Sequence, residues 1–233
     1  MLRHLLVAAA SLALSASAID PQRAPVLVEL FTSEGCSTCP PADRLLERLD
    51  PQAIVLSEHV DYWDRLGWKD RFSSHVFTER QEAYAHRFAL DEPYTPQMVV
   101  DGAAQFVGSD ARAAADEIGK AAVRPKVAIR LARTGASIRI AIDGSPNAAD
   151  IWLAVADNSA SSQVAAGENK GHELHHIAVV RSLRKIGSVK RGASYGGEIA
   201  LPAGAAAQRV VLFLQESGQA RVLGAAMLPA NAP

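Results

Sequence analysis

Pro25-Val26-Leu27-Val28-Glu29-Leu30-Phe31, then Thr32-Ser33-Glu34-Gly35, then Cys36-Ser37-Thr38-Cys39-Pro40-Pro41, is the stretch from which the fold follows. Its first segment is a near-continuous apolar run containing Val and Phe, the pattern of a buried strand in a parallel sheet. Thr32 to Gly35 read as a turn. From Ala42 to Leu49, the residues Leu45, Leu46 and Leu49 mark one apolar face of a helix, which Asp50-Pro51 stops. Ala53 to Val60, with Ile54, Val55 and Leu56, reads as a second strand. Strand, helix and strand make a βαβ unit, with Cys36 and Cys39 at its first strand-to-helix junction.

Those are the only cysteines of the 233-residue chain. A structural disulfide gains most from closing a long loop, so a bridge over two residues does little as a staple. Thiol–disulfide exchange accounts for the pair better: one thiolate attacks, and a second thiol resolves the mixed disulfide. A helix N-terminus favours a thiolate through its unpaired N–H groups and the positive end of its dipole. Cys36, nearer the open end, is expected to be the exposed attacker and Cys39 the resolver. Pro40 and Pro41 suit a first helical turn. If the regular helix begins only at Pro41, Cys39 lies near its cap, and the thiol gaining most from the dipole changes. A metal clip and an inert bridge remain alternatives, although a structural zinc site takes about four ligands.

Outward from this unit, residues 61 to 73 form a loop rich in aromatics, including Tyr62, Trp63, Trp68 and Phe72, and a helix runs from about Ser74 to Leu90. Gln97 to Val100 and Ala104 to Val107 flank an Asp101-Gly102 hairpin turn. Ser109 is the expected N-cap of a helix ending near Ala122. Beyond Arg124-Pro125 the pattern alternates in short strands: Lys126 to Ala132, Ile138 to Ile142, Ile151 to Ala156, Ile177 to Val180, Val210 to Leu214 and Val222 to Met227. That succession predicts an antiparallel, sandwich-like β-rich domain over 125–233, after an α/β domain over 19–124.

The N-terminus reads as an export signal: Arg3 in a short basic start, an apolar run from Leu5 to Leu14, and Ala16-Ser17-Ala18 as a cleavage site. That run is shorter than the roughly 20 residues a membrane span needs. Residues 1–18 are therefore expected to be a signal peptide, and the mature protein periplasmic or secreted, with no stable membrane anchor. A net charge of −1 lacks the basic excess of a nucleic-acid binder.

The strand, the CxxC pair and its helix resemble the thioredoxin superfamily. Thr95-Pro96 before the strand Gln97 to Val100 resembles that superfamily's cis-proline loop. More closely, three runs resemble the exported bacterial family catalogued as domain of unknown function 1223. They are Val28 to Cys36 continuing through Asp43, His59 to Asp64 with Leu66-Gly67-Trp68, and Tyr94 to Gly102. The resemblance implies an α/β thioredoxin-like domain ahead of the β-rich one, a cis Pro96, and a Thr95 backbone that lines the thiol pair and meets a bound polypeptide. Ser37-Thr38 departs from thioredoxin's Gly-Pro, so redox potential and partner do not transfer.

Glu29, inside the apolar strand, is either a buried carboxylate relaying a proton to Cys39 or a strand-end residue that faces solvent or pairs with an arginine. His59, Asp61 and Asp64 lie at a strand end, where open α/β sheets place their sites. Glu168, Asn169, Gly171, His172, His175 and His176 form a His-rich segment, read as a solvated loop in preference to a metal site. The expected function is thiol–disulfide exchange on exported protein thiols or disulfides with a redox partner, without a cofactor. The alternatives are a soft-metal protein holding Cu(I) through Cys36, Cys39 and a histidine such as His59, and a non-catalytic interaction module.

Overall fold

The computed structural model describes residues 25–230. The expected signal peptide, residues 1–18, lies outside the described residues. Near the start of these residues, β1 (Leu27–Thr32) leads through the dithiol turn into α1 (Pro40–Leu49), and β2 (Ile54–His59) returns parallel to β1. A long loop and α2 (His75–Arg87) follow, then the hairpin β3 (Gln97–Val100) and β4 (Ala104–Val107), and α3 (Ala111–Ala122). The cap of α3 is Asp110, not Ser109: its carboxylate accepts the N–H groups of Arg112 and Ala113.

Period-two alternation sorts the strands of this half. Val28, Leu30, Val55, Met98 and Val100 face α1 and α3, and the Leu45, Leu46 and Leu49 stripe of α1 packs on them. Leu27 and Phe31 lie in the clusters of the opposite face, with Phe77 and Tyr84 of α2. Full burial of each leucine of α1 contributes about 1.5–3 kcal/mol.

The remaining strands are β5 (Ile129–Thr134), β6 (Ser137–Ile142), β7 (Ala149–Gln163), β8 (Glu173–Val189), β9 (Tyr195–Ala200), β10 (Arg209–Glu216) and β11 (Val222–Leu228). The boundary expected at residue 124 is not a boundary of the sheet. One eight-stranded sheet has the order β11-β10-β7-β8-β2-β1-β3-β4, and β8 joins β2 in parallel with Ser57 opposite Val179. The buried backbone groups at the free edge of β2 need partners, and β8 supplies them there. The second, antiparallel sheet is β5-β6-β9. Its Ile138, Ile140 and Ile142 pack on Ile151, Leu153, Val210, Leu212 and Leu223 of the large sheet, so the sandwich-like contact is confined to this half.

β7 and β8 are longer than the short strands expected, at 15 and 17 residues. At about 3.3 Å per residue such a hairpin reaches some 50 Å. One end packs with the second sheet through Ala149, Ile151 and Val189. The tip, residues 164–172, arrives at the dithiol.

Candidate functional site: a buried disulfide under a hairpin tip

Cys36 and Cys39 form a disulfide with their Cα atoms 5.4 Å apart. The turn is built locally: Cys36 N–H donates to Ser33 O and Cys39 N–H to Cys36 O, both at 3.2 Å. Cys39 is the N-cap of α1, in helical backbone geometry, with Pro40 and Pro41 next. Those prolines carry no N–H, and the next two donors, Ala42 and Asp43, are spent on Cys39 O at 2.8 and 3.1 Å. The start of the helix therefore offers a thiolate a dipole but few free donors.

The expected exposure of Cys36 is corrected by the structure, because both cysteines are 0% exposed. Ser37 and Thr38 between them are exposed. The turn is closed by the β7–β8 tip. Asn169 Nδ2 donates to Glu34 O at 2.8 Å and to Cys36 O at 2.9 Å, and Glu168 accepts Ser37 N–H at 3.1 Å. Hydrogen bonding from the Ser37 side chain, and then from its N–H, holds the Glu168 carboxyl below its usual range. Glu168 and Asn169, read from sequence as part of a solvated loop, are thus a clasp on the dithiol turn.

The Thr95–Pro96 bond is cis. Trp63 ties this loop to the dithiol turn. Its indole N–H donates to Thr95 Oγ1 at 2.8 Å, and a Cβ on Gly35 would stand 3.1 Å from Trp63 Cβ. Gly108 is a second close approach, since a Cβ there would lie 3.1 Å from Pro96 Cβ and 3.2 Å from Ala42 Cβ.

Glu29 leaves the dithiol site. It is fully buried, but Arg80 Nε donates to its Oε1 and the Tyr84 hydroxyl to its Oε2, each at 2.6 Å. Both oxygens are occupied on the α2 side of the sheet, so the arginine-paired alternative holds. Arg80 also approaches Glu58 at 3.6 Å. Burial and the neighbouring Glu29 push the Glu58 carboxyl well above the usual range, against the pull of Arg80.

Of the ionisable groups that gather at the turn, the sequence pointed to His59 as a strand-end residue, placed His176 in a solvated loop, and gave no sign of Asp70, Glu34 or Asp43. His59 Nδ1 lies 2.7 Å from Asp70 Oδ2, with neither side chain exposed. Burial works against a charge on His59, yet the carboxylate of Asp70, with Asp43 and Glu34 beyond it, raises its pKa. Burial would raise Asp70, but His59 and the N–H groups of Glu34 and Phe72 hold it below its usual range. Glu34 accepts the Trp68 indole N–H at 2.7 Å. His176 of β8 stands 3.8 Å from Glu34 Oε1 and 3.6 Å from Asp43 Oδ2, and its ring centroid is 4.7 Å from that of His59. Asp43 Oδ1 accepts the Thr32 hydroxyl at 3.1 Å. The one available signal was strand parity: on a strand His175 and His176 point apart. His175 is exposed beside Ser161, and His176 is buried.

Asp61 and Asp64 serve the long loop. Asp61 accepts the Thr78 hydroxyl, and Asp64 accepts Asp70 N–H and the Ser73 hydroxyl. Among the described residues no three His, Cys, Asp or Glu side chains are grouped to hold one metal ion, and no helix is long and apolar enough to cross a membrane.

A family model described as protein of unknown function (DUF1223) matches residues 27–215. Among solved structures, protein AGR_C_4864 from Agrobacterium tumefaciens is similar at 28% identity and a TM-score of 0.77, covering 91% of this chain and 97% of that one. HBP35 of Porphyromonas gingivalis shares the fold at 14% identity and a TM-score of 0.56, covering 91% of this chain and 78% of that one. No curated protein matches.

Proposed function

This chain belongs to the DUF1223 family, a family of unknown function, so its activity must come from its own site, and we propose that it is an extracytoplasmic thiol–disulfide exchange protein with a thioredoxin-like core. The carrying observation is the Cys36–Cys39 disulfide at the β1–α1 junction, at the end of the central β1–β2 pair. A bridge over two residues adds little stability through loop closure. It can instead open and close without unfolding the sheet that holds it.

Exchange runs through Cys36. A partner thiolate attacks its sulfur, the S–S bond breaks, and Cys39 departs; in reverse Cys39 attacks the mixed disulfide and the partner leaves as thiolate. The substrates are exported protein thiols or disulfides, in the periplasm or outside the cell, after removal of residues 1–18. Because both sulfurs are buried, the clasp of Glu168 and Asn169 must lift before a partner reaches Cys36. The tip of β7–β8 is then a gate, and the second sheet anchors its far end.

Insulin reduction with an external dithiol, run on the mature protein, tests the activity. Turnover is expected for the wild type and its loss for Cys36→Ser. Absence of turnover in both sinks the proposal, and stoichiometric copper retention that Cys36→Ser and Cys39→Ser each lose would put a soft-metal function in its place.

A further inference from the structure

Breaking the disulfide releases Cys39 as a thiolate in a place with no exposed surface. Burial disfavours that charge. The first turn of α1 gives little relief, since Pro40 and Pro41 lack N–H groups and those of Ala42 and Asp43 bond Cys39 O. A proton must reach the sulfur instead, and the structure holds one titratable group at each flank of the dithiol turn with an imidazole between them.

Asp43 is four residues after Cys39. Cys39 already has helical backbone geometry, so the two side chains share one face of the helix start. Glu34 is two residues before Cys36. Between their carboxylates lies His176, at 3.6 Å from Asp43 and 3.8 Å from Glu34. Its two ring nitrogens and Glu34 Oε1 are buried without a hydrogen-bond partner. A buried imidazole left that way costs free energy in any purely structural role. Poised between two acceptors, it is suited to hold a proton for either.

We propose that His176 is the proton-holding residue of the dithiol, delivering its proton through Asp43 to Cys39 as the disulfide opens and recovering it as the disulfide closes. This rests on the exchange activity proposed above. The step balances: a partner thiolate, the Cys36–Cys39 disulfide and a protonated His176 give a partner–Cys36 mixed disulfide, a neutral Cys39 thiol and a neutral His176. Since His176 acts through Asp43, it is a positioning residue for the proton. The groups facing it are Glu34 from the dithiol turn, Asp43 from α1 and His59 from β2, with Asp70 of the long loop behind His59. Asp43 also lines an open cleft of about 170 Å³, whose charged and titratable neighbours are Arg44, Glu47, Glu173 and His175.

The test is the rate at which dithiothreitol reduces the disulfide across pH, divided by the fraction of reagent present as thiolate. In the wild type this corrected rate falls as pH rises and the internal acid is lost. In His176→Gln it is flat, and lower at the acidic end by about 100-fold, the scale of general acid catalysis. Asp43→Asn gives the same flat profile and carries the test if His176→Gln does not fold. A flat wild-type profile, or a wild-type profile kept in either folded variant, overturns the inference while leaving exchange intact. A native wild-type protein that dithiothreitol does not reduce at any pH overturns the exchange activity itself, and the inference with it.

Discussion

Replacing Asn169 by alanine is the sharpest test of the gate. The amide makes two hydrogen bonds, to Glu34 O at 2.8 Å and Cys36 O at 2.9 Å, and Asn169 is only 6% exposed. Each bond contributes about 0.5–1.5 kcal/mol net, so their loss weakens the closed clasp by about 2 kcal/mol. If the disulfide reacts only when the tip has lifted, the open population rises by the same free energy. At 1.4 kcal/mol per tenfold, the rate of reduction rises about 30-fold. The assay is reduction of the native protein by a phosphine, followed by thiol labelling of Cys36 and Cys39. Repeating it in low guanidinium separates local lifting from global unfolding. Lifting a hairpin tip exposes little surface, so the rate should depend on denaturant far more weakly than the global unfolding equilibrium does. A rate in Asn169→Ala within twofold of wild type refutes the gate. So does a faster rate whose denaturant slope equals that of global unfolding.

Two further outcomes concern the ionised interior. Arg80→Met strands Glu29, fully buried, without its cation, and should cost about 3–5 kcal/mol in denaturant unfolding; a loss below 1 kcal/mol would show that the pair is dispensable. Asp70→Asn should cost a similar amount, but with a pH signature. The depressed Asp70 contributes above its unfolded pKa near 3.9 and loses that contribution as pH falls through its lower folded value. The raised His59 contributes fully below about pH 6.5 and loses its share as pH rises through its higher folded value. The stability gap between wild type and variant should therefore peak between about pH 4 and 6.5 in chemical denaturation, and a gap independent of pH would count against the ion pair.

The sequence determined the elements whose signals are local. The apolar run before Cys36 became β1, the leucine stripe became α1, and Gln97–Val100 became β3, because periodicity and turn residues act within a few positions. The nearness of the two sulfurs followed from their spacing within a strand-to-helix turn, which the sequence also marked. Tertiary structure decided what surrounds them. That β8 would pair with β2 across a separation of more than 100 residues, and carry His176 in behind the dithiol, has no local signature. That Glu29 would spend both oxygens on Arg80 and Tyr84 rather than serve Cys39 depended on where α2 packs. The hydrogen bonds that hold the dithiol turn come partly from a hairpin tip more than 130 residues away, beyond the reach of any local signal. Chain neighbours set backbone conformation, but desolvation and charge pairing are set by whatever the completed fold brings within a few ångströms.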